Sequence, residues 1–429
     1  MTADVGITDG PGVPDPSPSS PHPEARACGK ASDPAGQVAA GAFEGRRIRV
    51  LHLVGTMNRG GAESMLMEVV RHVDRERFDF AFLAHGTAAG AFDSELASLG
   101  VPVHHLPSLG TLGYRRYILA LRRHLRSREP VDVVHSHLDW QGGAIAAAAR
   151  MAGVPSVVVH SHASSWSKPD TPANRLNLAF SRLLVSIFAT DAWACSRPAG
   201  EFLFDARTLG SERFRVVRNA IAVDRFGRAS LAAVAATKAR LGIPPGALVL
   251  GHVGSLSPVK NQAFLVGLAA QLVARGESIR LLLVGEGPGR AELERKVAAE
   301  GLSNEVVFAG SRPDVPDFLD VFDVFLFPSL SEGLGLAVVE AQAAGLPCVV
   351  SEALPVDVDM GLGLVHRRPL VRDAWITAID AVRGTKRSDG PAIKRGIAER
   401  GYDIRDNVRV ISDLYASLVA RGRRSGAPR

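Results

Sequence analysis

The segment from Val324 to Ala344 contains, in order, a strand-like apolar run, a glycine turn and an apolar helix, Leu336–Ala344. Gly333 and Gly335 let the backbone bend tightly and present amide hydrogens and the helix N-terminus to an anion such as a diphosphate. Glu332 follows the strand, and Glu340 lies eight residues later, where its carboxylate can accept hydrogen bonds from hydroxyl groups. The segment predicts a site for an anionic ligand that carries hydroxyls.

Gly60 and Gly61 open a second predicted helix, directly after the first strand, with Arg59 beside them. Their amides favour binding of a phosphate or another group that approaches the backbone closely. A tight strand-to-helix turn without any ligand is the alternative interpretation.

Four histidines form two H-S-H patterns at the ends of two predicted strands, His135 with His137 and His160 with His162. Alternate residues of a strand point to one face, so the members of each pair share a face. A zinc site needs three or four converging ligands. We expect no metal here.

Short apolar strands alternate with helical patterns from Arg47 onward, which predicts parallel sheets covered by helices. The strands predicted in the first half are Arg49–Val54, Phe80–Leu83, Val131–His135, Ser156–His160, Ala192–Cys195 and Phe214–Val217. Those predicted in the second half are Leu248–Val253, Ile279–Val284, Val306–Ala309, Val324–Phe327 and Pro347–Val350. Ala222–Pro245 is the predicted hinge, and only helices are predicted beyond Arg383. Ligands bind at the carboxyl ends of parallel strands, where the loops described above lie.

The composition favours two domains and no membrane span. The 429 residues exceed the usual size of one domain, and the longest apolar stretch is interrupted by Arg182 and Asp191. Three widely spaced cysteines argue against disulfides or structural zinc and favour a cytoplasmic setting. Residues 1–45 are rich in Pro, Gly and Ser and lack a secretory pattern, so they predict a disordered extension.

Positive charge is concentrated on one predicted helix, Tyr114–Arg128, in a chain of net charge +6. Its arginines are Arg115, Arg116, Arg122, Arg123, Arg126 and Arg128. A solvated basic face is one interpretation, and peripheral docking to anionic lipid headgroups is the other. No nucleic-acid partner is expected, because neither interleaved aromatic residues nor a reading motif accompanies these arginines.

The glycines after Ile279–Val284 do not complete a dinucleotide fingerprint. Gly285 and Gly287 fit G-x-G-x-x-G, but Arg290 replaces the third glycine, and no acidic residue ends the next strand. NAD is therefore not expected, and a glycine turn lining a ligand cleft is the better interpretation.

Six motifs in order resemble the retaining GT-B glycosyltransferases of family GT4, closest to the exopolysaccharide-type branch. They are LHLVGTMNRGGAES, VDVVHSHL, VVVHSHA, GHVGSLSPVKN, LLLVGEGPGR and SEGLGLAVVEAQAAGLP, the last of which matches the E-x7-E motif. The resemblance extends over roughly residues 47 to 418. It implies an α/β fold of two Rossmann-like doubly wound parallel-sheet domains facing a cleft, with the C-terminal helix returning to the N-terminal domain.

The resemblance also implies roles for site residues. Glu332 would contact the donor sugar and Glu340 the ribose, and His162 would lie near the transferred sugar. Lys260 would neutralise the charge that develops on the leaving phosphate. The donor-binding turn comprises Gly333, Leu334 and Gly335.

One position departs from the family pattern. The family pairs Lys260 with an arginine five residues earlier, where this chain has Ser255. We expect Arg59 or Arg218 to supply part of the missing charge. Arg312, in the Gly310–Pro313 loop that would meet the base, is a further candidate.

The implied activity is retaining, metal-independent transfer of a sugar from a nucleotide diphosphate sugar, with UDP-sugars as the default. The acceptor would be a saccharide or lipid-linked saccharide in exopolysaccharide or cell-envelope glycan synthesis. No cofactor is expected, since Asp357 and Asp359 have D-x-D letters but are predicted to lie in a loop. The expected location is cytoplasmic, and peripheral attachment to the inner face of the membrane is the open alternative that goes with lipid docking of the basic helix.

The predicted domains are an acceptor-binding domain at 46–222, a nucleotide-sugar-binding domain at 223–400, and a C-terminal helix and tail at 401–429. Three alternatives stay open at this level. They are transfer to a small natural-product acceptor, a catalytically weak nucleotide-sugar-binding protein, and a nucleotide-sugar epimerase.

Overall fold

The computed structural model describes residues 46–165, 171–227, 229–385 and 390–424. The extension 1–45, predicted to be disordered, lies outside these ranges, as does the tail 425–429. The described chain contains two parallel sheets, one in each half.

Seven parallel strands form the first sheet, in the order β3-β2-β1-β4-β5-β6-β7. The strands are β1 (Ile48–Val54), β2 (Phe78–His85), β3 (Val103–Leu106), β4 (Val133–Ser136), β5 (Ser156–Ser161), β6 (Asp191–Ala194) and β7 (Phe214–Val216). Every residue of β4 and β5 is buried, as expected for central strands between two helix layers.

The described residues of this first lobe form seven α-helices. They are α1 (Gly61–His72), α2 (Asp93–Ser98), α3 (Leu109–Arg126), α4 (Gly142–Ala152), α5 (Pro172–Phe188), α6 (Arg197–Leu203) and α7 (Ala206–Leu209). Helix α4 consists mostly of glycine and alanine and is buried from Gly142 to Ala149. Because its side chains are small, α3 and α5 pack closely on either side of it.

Six parallel strands form the second sheet, in the order β10-β9-β8-β11-β12-β13. The strands are β8 (Leu248–Val253), β9 (Ile279–Val284), β10 (Val306–Gly310), β11 (Val324–Phe327), β12 (Cys348–Ser351) and β13 (Val365–Arg368). The helices of this lobe are α8 (Leu231–Arg240), α9 (Gln262–Ala274), α10 (Arg290–Ala299), α11 (Val315–Val321), α12 (Leu336–Ala343), α13 (Arg372–Val382) and α14 (Gly390–Glu399).

The last helix, α15 (Ile404–Arg424), returns to the first lobe, as expected for the GT-B architecture. Its Tyr415 packs in the same core as Phe78 and Phe80 of β2. The chain passes between the lobes twice, near Ile221 and near Ile404, and these two segments lie side by side. The amide of Ile221 donates to the carbonyl of Tyr402 (2.9 Å), and the amide of Ile404 donates to the carbonyl of Ile221 (3.0 Å). The predicted α/β class with two doubly wound sheets is confirmed.

The predicted strands are all present, with ends displaced by two residues at most. Strands β3 and β13 were not predicted, because their sequences VHHL and VHRR lack an apolar run; both lie at a sheet edge. Helix α8, which was not predicted, occupies the middle of the predicted hinge Ala222–Pro245, and the hinge itself stays a prediction. No helix in the described ranges is both long and apolar enough to span a bilayer.

Candidate active site

Two loops at the carboxyl ends of the neighbouring strands β8 and β11 are joined by hydrogen bonds. The amide of Leu330 donates to the carbonyl of Val259 (2.8 Å), and the hydroxyl oxygen of Ser329 lies 3.1 Å from the same carbonyl. These bonds hold the loop that carries Lys260 beside the turn that carries Glu332.

Lys260 and Glu332 form an ion pair at the centre of this region. The Lys260 Nζ lies 2.6 Å from Glu332 Oε1, and the side chains are 20% and 11% exposed. The Ser329 hydroxyl donates to the same carboxylate oxygen, and the ammonium group lies 5.0 Å from the centroid of the Phe327 ring. The structure therefore brings together the cation and the carboxylate that the sequence assigned to the donor site.

Residues of the first lobe contact the Glu332 turn from across the cleft. Ser164 donates its hydroxyl hydrogen to the carbonyl of Glu332, and Ser196 donates to the carbonyl of Gly333 (2.8 Å). A Cβ at Gly333 would collide with the carbonyl oxygen of His162. Glycine is thus required here by the close approach of the two lobes.

The start of α12 presents backbone donors to the same space. Gly335 caps this helix with φ 91°, a conformation that favours glycine. Within the described ranges, no hydrogen bond is found from the amides of Gly333 and Leu334. An anion placed there would meet free amide hydrogens and the positive end of a helix dipole.

The backbone carbonyl of His162 lies against Gly333 of this turn, and the His162 ring belongs to a cluster of histidines. Its Nε2 lies 2.9 Å from Nδ1 of His137. Burial lowers the pKa of His162 to about 4, while the neighbouring Asn219 side chain acts in the opposite direction. At neutral pH His162 is therefore an uncharged hydrogen-bonding group.

Asp139 positions the loop that carries His162. Its Oδ1 accepts hydrogen bonds from the amides of His162 (2.7 Å) and Ala163 (3.2 Å) and from the Ser161 hydroxyl (3.3 Å). Asp139 has φ 38°, and burial raises the pKa of its carboxyl group. No local pattern predicted a role for Asp139, because this residue lies outside the predicted strands and helices.

The four predicted histidines cluster together with His52. His135 Nδ1 lies 2.6 Å from the Tyr415 hydroxyl, and His52 Nδ1 lies 3.0 Å from His137 Nε2. Two triads could hold a metal ion, His52 with His135 and His137, and His137 with His160 and His162. Burial lowers the pKa of each ring, so the cluster consists of neutral imidazoles bonded to one another. The expectation that no metal binds stays a prediction.

Glu340 lies on α12, close to Glu68 of the first lobe and to Arg225 of the segment that joins the two lobes. Burial raises the pKa of its carboxyl group to about 7; the Arg225 guanidinium lowers it and the Glu68 carboxylate raises it. Arg225 itself donates to Glu68 Oε1 (2.6 Å). The contact between Glu340 and a ribose stays a prediction.

The Gly60-Gly61 helix start faces a carboxylate in this structure. A Cβ on Gly60 would collide with the carboxylate of Glu63, whereas a Cβ on Gly61 would meet open space. Burial raises the pKa of Glu63, and the neighbouring Asp139 raises it further. The start of α1 thus lies near the loop of Asp139, which also holds His162, so this helix start lies on the same side of the lobe as the candidate active site.

The candidate charge substitutes differ in their surroundings. The guanidinium of Arg59 lies 5.4 Å from the Phe92 ring and that of Arg218 lies 5.6 Å from the Tyr402 ring. Arg312 forms two hydrogen bonds with Asp314 (2.8 and 2.7 Å), so its charge is already compensated. Ser255 is exposed, and its carbonyl accepts from Gln262 (2.8 Å).

The glycines of LLLVGEGPGR have a packing role. A Cβ at Gly285 would collide with the carbonyl of Gly254, and one at Gly287 would collide with the backbone of Leu256. The β9 loop therefore lies directly on the β8 loop that leads to Lys260.

Comparisons with known proteins agree with this architecture. Residues 60–220 match the family described as Glycosyl transferase 4-like domain, and residues 234–357 match Glycosyl transferases group 1. EpsF of Bacillus subtilis (strain 168), which carries the name of a glycosyltransferase, is 39% identical over 369 residues, covering 86% of this chain and 96% of EpsF. A galactosyltransferase of Escherichia coli, named for UDP-Gal and a diphosphoundecaprenol-linked GlcNAc, is 24% identical over 87% of this chain and 98% of its own.

Solved structures show the same fold. Anabaena HepE in complex with UDP and glucose superposes with a TM-score of 0.62 at 22% identity, covering 88% of this chain and 98% of HepE. WaaG, a glycosyltransferase involved in lipopolysaccharide biosynthesis, gives a TM-score of 0.62 at 18% identity, covering 86% and 99% of the two chains.

Two facing parallel-sheet lobes and the family matches define an enzyme of the GT-B glycosyltransferase class. Within that class the chain belongs to the GT4 family of glycosyltransferases.

Proposed function

We propose that this enzyme is a retaining glycosyltransferase that uses a nucleotide diphosphate sugar, in the first place a UDP-sugar. The acceptor is a saccharide or lipid-linked saccharide in exopolysaccharide or cell-envelope glycan synthesis. The observation that carries the proposal is the Lys260–Glu332 pair, set beside free amides in a turn whose Gly333 packs against the backbone of His162 in the other lobe. Two relatives support the proposal. The galactosyltransferase of Escherichia coli is named for UDP-Gal and a lipid-linked acceptor, and CapH of Staphylococcus aureus is named for capsular polysaccharide biosynthesis.

In the proposed reaction the bond between C1 of the sugar and the diphosphate oxygen breaks, and its electron pair leaves with the nucleotide diphosphate. Lys260 and the amides of Gly333 and Leu334 stabilise this negative charge. The acceptor hydroxyl forms the new bond at C1 on the same face, and the departing phosphate oxygen takes its proton. The anomeric configuration is therefore retained.

Each remaining side chain has one task in this scheme. Glu332 accepts hydrogen bonds from sugar hydroxyls, and neutral His162 hydrogen-bonds the transferred sugar. Ser164 and Ser196 hold the lobes together, which excludes water and limits hydrolysis of the donor. No metal enters the scheme, so activity should persist in excess EDTA.

We place the reaction in the cytoplasm, with peripheral attachment to the inner face of the membrane. A cytosolic enzyme reaches a lipid-linked saccharide most readily at that surface. Docking through the basic helix α3 is the interpretation that the arginines of this helix favour.

A small natural-product acceptor is the second candidate. The observation that favours it is the 2-deoxystreptamine glucosyltransferase of Streptomyces kanamyceticus, which is 36% identical over 52% of this chain and 60% of its own.

The test is a mass-spectrometric screen of UDP- and GDP-sugars against two acceptors, a polyprenyl-diphosphate-linked saccharide and 2-deoxystreptamine. The proposal predicts transfer from a UDP-sugar to the lipid-linked acceptor, loss of transfer in Glu332→Gln, and a product of the donor's anomeric configuration by NMR. Transfer to 2-deoxystreptamine alone would favour the second candidate. A free epimer formed without acceptor, or binding without turnover, would contradict both.

A further inference from the structure

Helix α5 exposes a stripe of large apolar side chains to solvent. Leu176, Phe180, Leu183 and Ile187 follow one another at intervals of four, three and four residues, which places them on one face of the helix. Their exposed fractions are 72%, 43%, 54% and 60%. Single exposed apolar residues are common, but a continuous stripe indicates a surface that contacts something apolar.

The neighbouring helix α3 extends this surface with positive charge. The Tyr114 ring contacts the Phe180 ring at 5.2 Å between centroids, so α3 and α5 meet above the buried helix α4. On α3 the side opposite the core carries Leu119, 57% exposed, and four exposed arginines, Arg115, Arg116, Arg123 and Arg126. We call the outward faces of α3 and α5 the α3–α5 face.

The charge of the α3–α5 face is of one sign. Neither helix contains an aspartate or a glutamate, while together they contain seven arginines. Within the part of the chain that the structure describes, no carboxylate pairs with Arg115, Arg116, Arg123 or Arg126. The arginines are therefore free to bind an external anion.

We propose that the α3–α5 face is the surface on which the enzyme docks to an anionic lipid bilayer. Helices that lie in a membrane interface combine an apolar side, which enters the acyl boundary, with basic side chains that bind anionic headgroups. A second copy of the chain fits less well, because a twofold contact would bring two carboxylate-free arginine clusters together. A partner protein would need a surface that is both acidic and apolar.

Docking in this way fixes how the active site meets the lipid. Helix α5 starts after β5, the strand that ends at the His162 loop, so Leu176 lies at the end of the stripe nearest the cleft and Ile187 lies farthest from it. A lipid-linked acceptor would then reach the cleft without leaving the bilayer. In that respect the inference rests on the proposed function.

The experiment is sedimentation of the full chain with phosphatidylcholine vesicles that contain 0 or about 30 mol% phosphatidylglycerol. Wild type is expected to sediment with the anionic vesicles, and less so at high salt. Leu183→Glu and the double change Arg116→Glu with Arg123→Glu are expected to lower the vesicle affinity at least tenfold. Matched controls on the other lobe are Leu231→Glu, whose leucine is 91% exposed, and Arg295→Glu, and both should bind as wild type does.

Three outcomes would overturn the inference. Wild type could stay in solution with anionic vesicles, the controls could lose as much affinity as the α3–α5 variants, or ultracentrifugation without lipid could show a dimer that Leu183→Glu dissociates. Donor turnover with a water-soluble acceptor is measured on the same proteins. Because Leu183 lies outside the candidate active site, unchanged turnover with lost vesicle binding separates this inference from the proposed function.

Discussion

The ammonium group of Lys260 lies 2.6 Å from the Glu332 carboxylate, although 72 positions separate the two residues in the chain. The pair joins the loops after two neighbouring strands of the second sheet. A donor diphosphate would offer Lys260 a second anion, while Glu332 would keep the cation in place. This arrangement makes Lys260 the first residue to test.

Lys260→Ala should lower kcat by about 10²–10³, the loss typical when one group that stabilises a developing oxyanion is removed. The measurement is the steady-state rate of sugar transfer. Lys296→Ala is the control, since that lysine pairs with Glu300 on the surface of α10 (3.1 Å). Equal kcat in wild type and Lys260→Ala would contradict the assigned role.

The family pattern has an arginine where this chain has Ser255, and Arg218 or Arg59 should supply part of that missing charge. Alanine at one of these positions is expected to lower kcat, because less positive charge would face the diphosphate. Arg295→Ala, on the exposed side of α10, serves for comparison. If both Arg218→Ala and Arg59→Ala keep the kcat of wild type, the substitution hypothesis is wrong.

Removing the serine contacts across the cleft should raise donor hydrolysis relative to transfer. Ser164→Ala and Ser196→Ala each delete one hydrogen bond to the Glu332 turn, which costs about 1 kcal/mol of closure free energy. The ratio of free sugar to transfer product reports the effect, and Ser98→Ala, an exposed serine on α2, controls for the substitution itself. An unchanged ratio in both variants would show that these contacts do not govern closure.

Acid should destabilise the fold through the buried histidines. Burial lowers the pKa of His52 to about 3 in the folded state, against 6.5 for the free group. The unfolded chain therefore binds the proton first, and stability present above pH 6.5 is lost as the pH falls toward 3, by about 1.4 kcal/mol per pH unit for each such group. Urea unfolding of wild type and His52→Gln at pH 7 and pH 5 tests this, since the variant should lose less stability between the two. Equal losses of stability in wild type and His52→Gln would contradict the assigned role of His52.

The buried carboxyl group of Glu340 should have the opposite effect on stability: the fold becomes less stable as the pH rises. Its folded pKa of about 7 exceeds the ordinary 4.5, so between pH 4.5 and 7 the unfolded chain gives up the proton first and stability falls as the pH rises. Glu340→Gln removes this penalty. The variant should gain on wild type by at most about 3 kcal/mol between pH 4.5 and 8 in urea unfolding. A constant difference across that range would mean that burial does not control this carboxyl group.

Much of the fold could be predicted because the central strands are continuous apolar runs. Val324–Phe327 and Leu248–Val253 have the observed bounds, whereas the edge strand Val365–Arg368 was missed because it packs on one side only and its residues are mostly polar. Helix α8 was missed because the prolines and glycine after it favoured a hinge.

The site could be predicted only where a residue stands in a local pattern. Glu332 and Lys260 follow strands, and parallel topology brings strand ends together. Ser196, Asp139 and Tyr415 act through contacts that the folding of distant segments creates, as when α15 delivers Tyr415 to His135 (2.6 Å). No spacing in the sequence encodes such a contact.

Calorimetric titration of UDP into wild type and Lys260→Ala measures the contact between Lys260 and the diphosphate without any acceptor. Wild type is expected to bind UDP, Lys260→Ala to bind it at least tenfold more weakly, and Lys296→Ala to bind it as wild type does. Equal affinity in wild type and Lys260→Ala would mean that the diphosphate lies away from the Lys260–Glu332 pair.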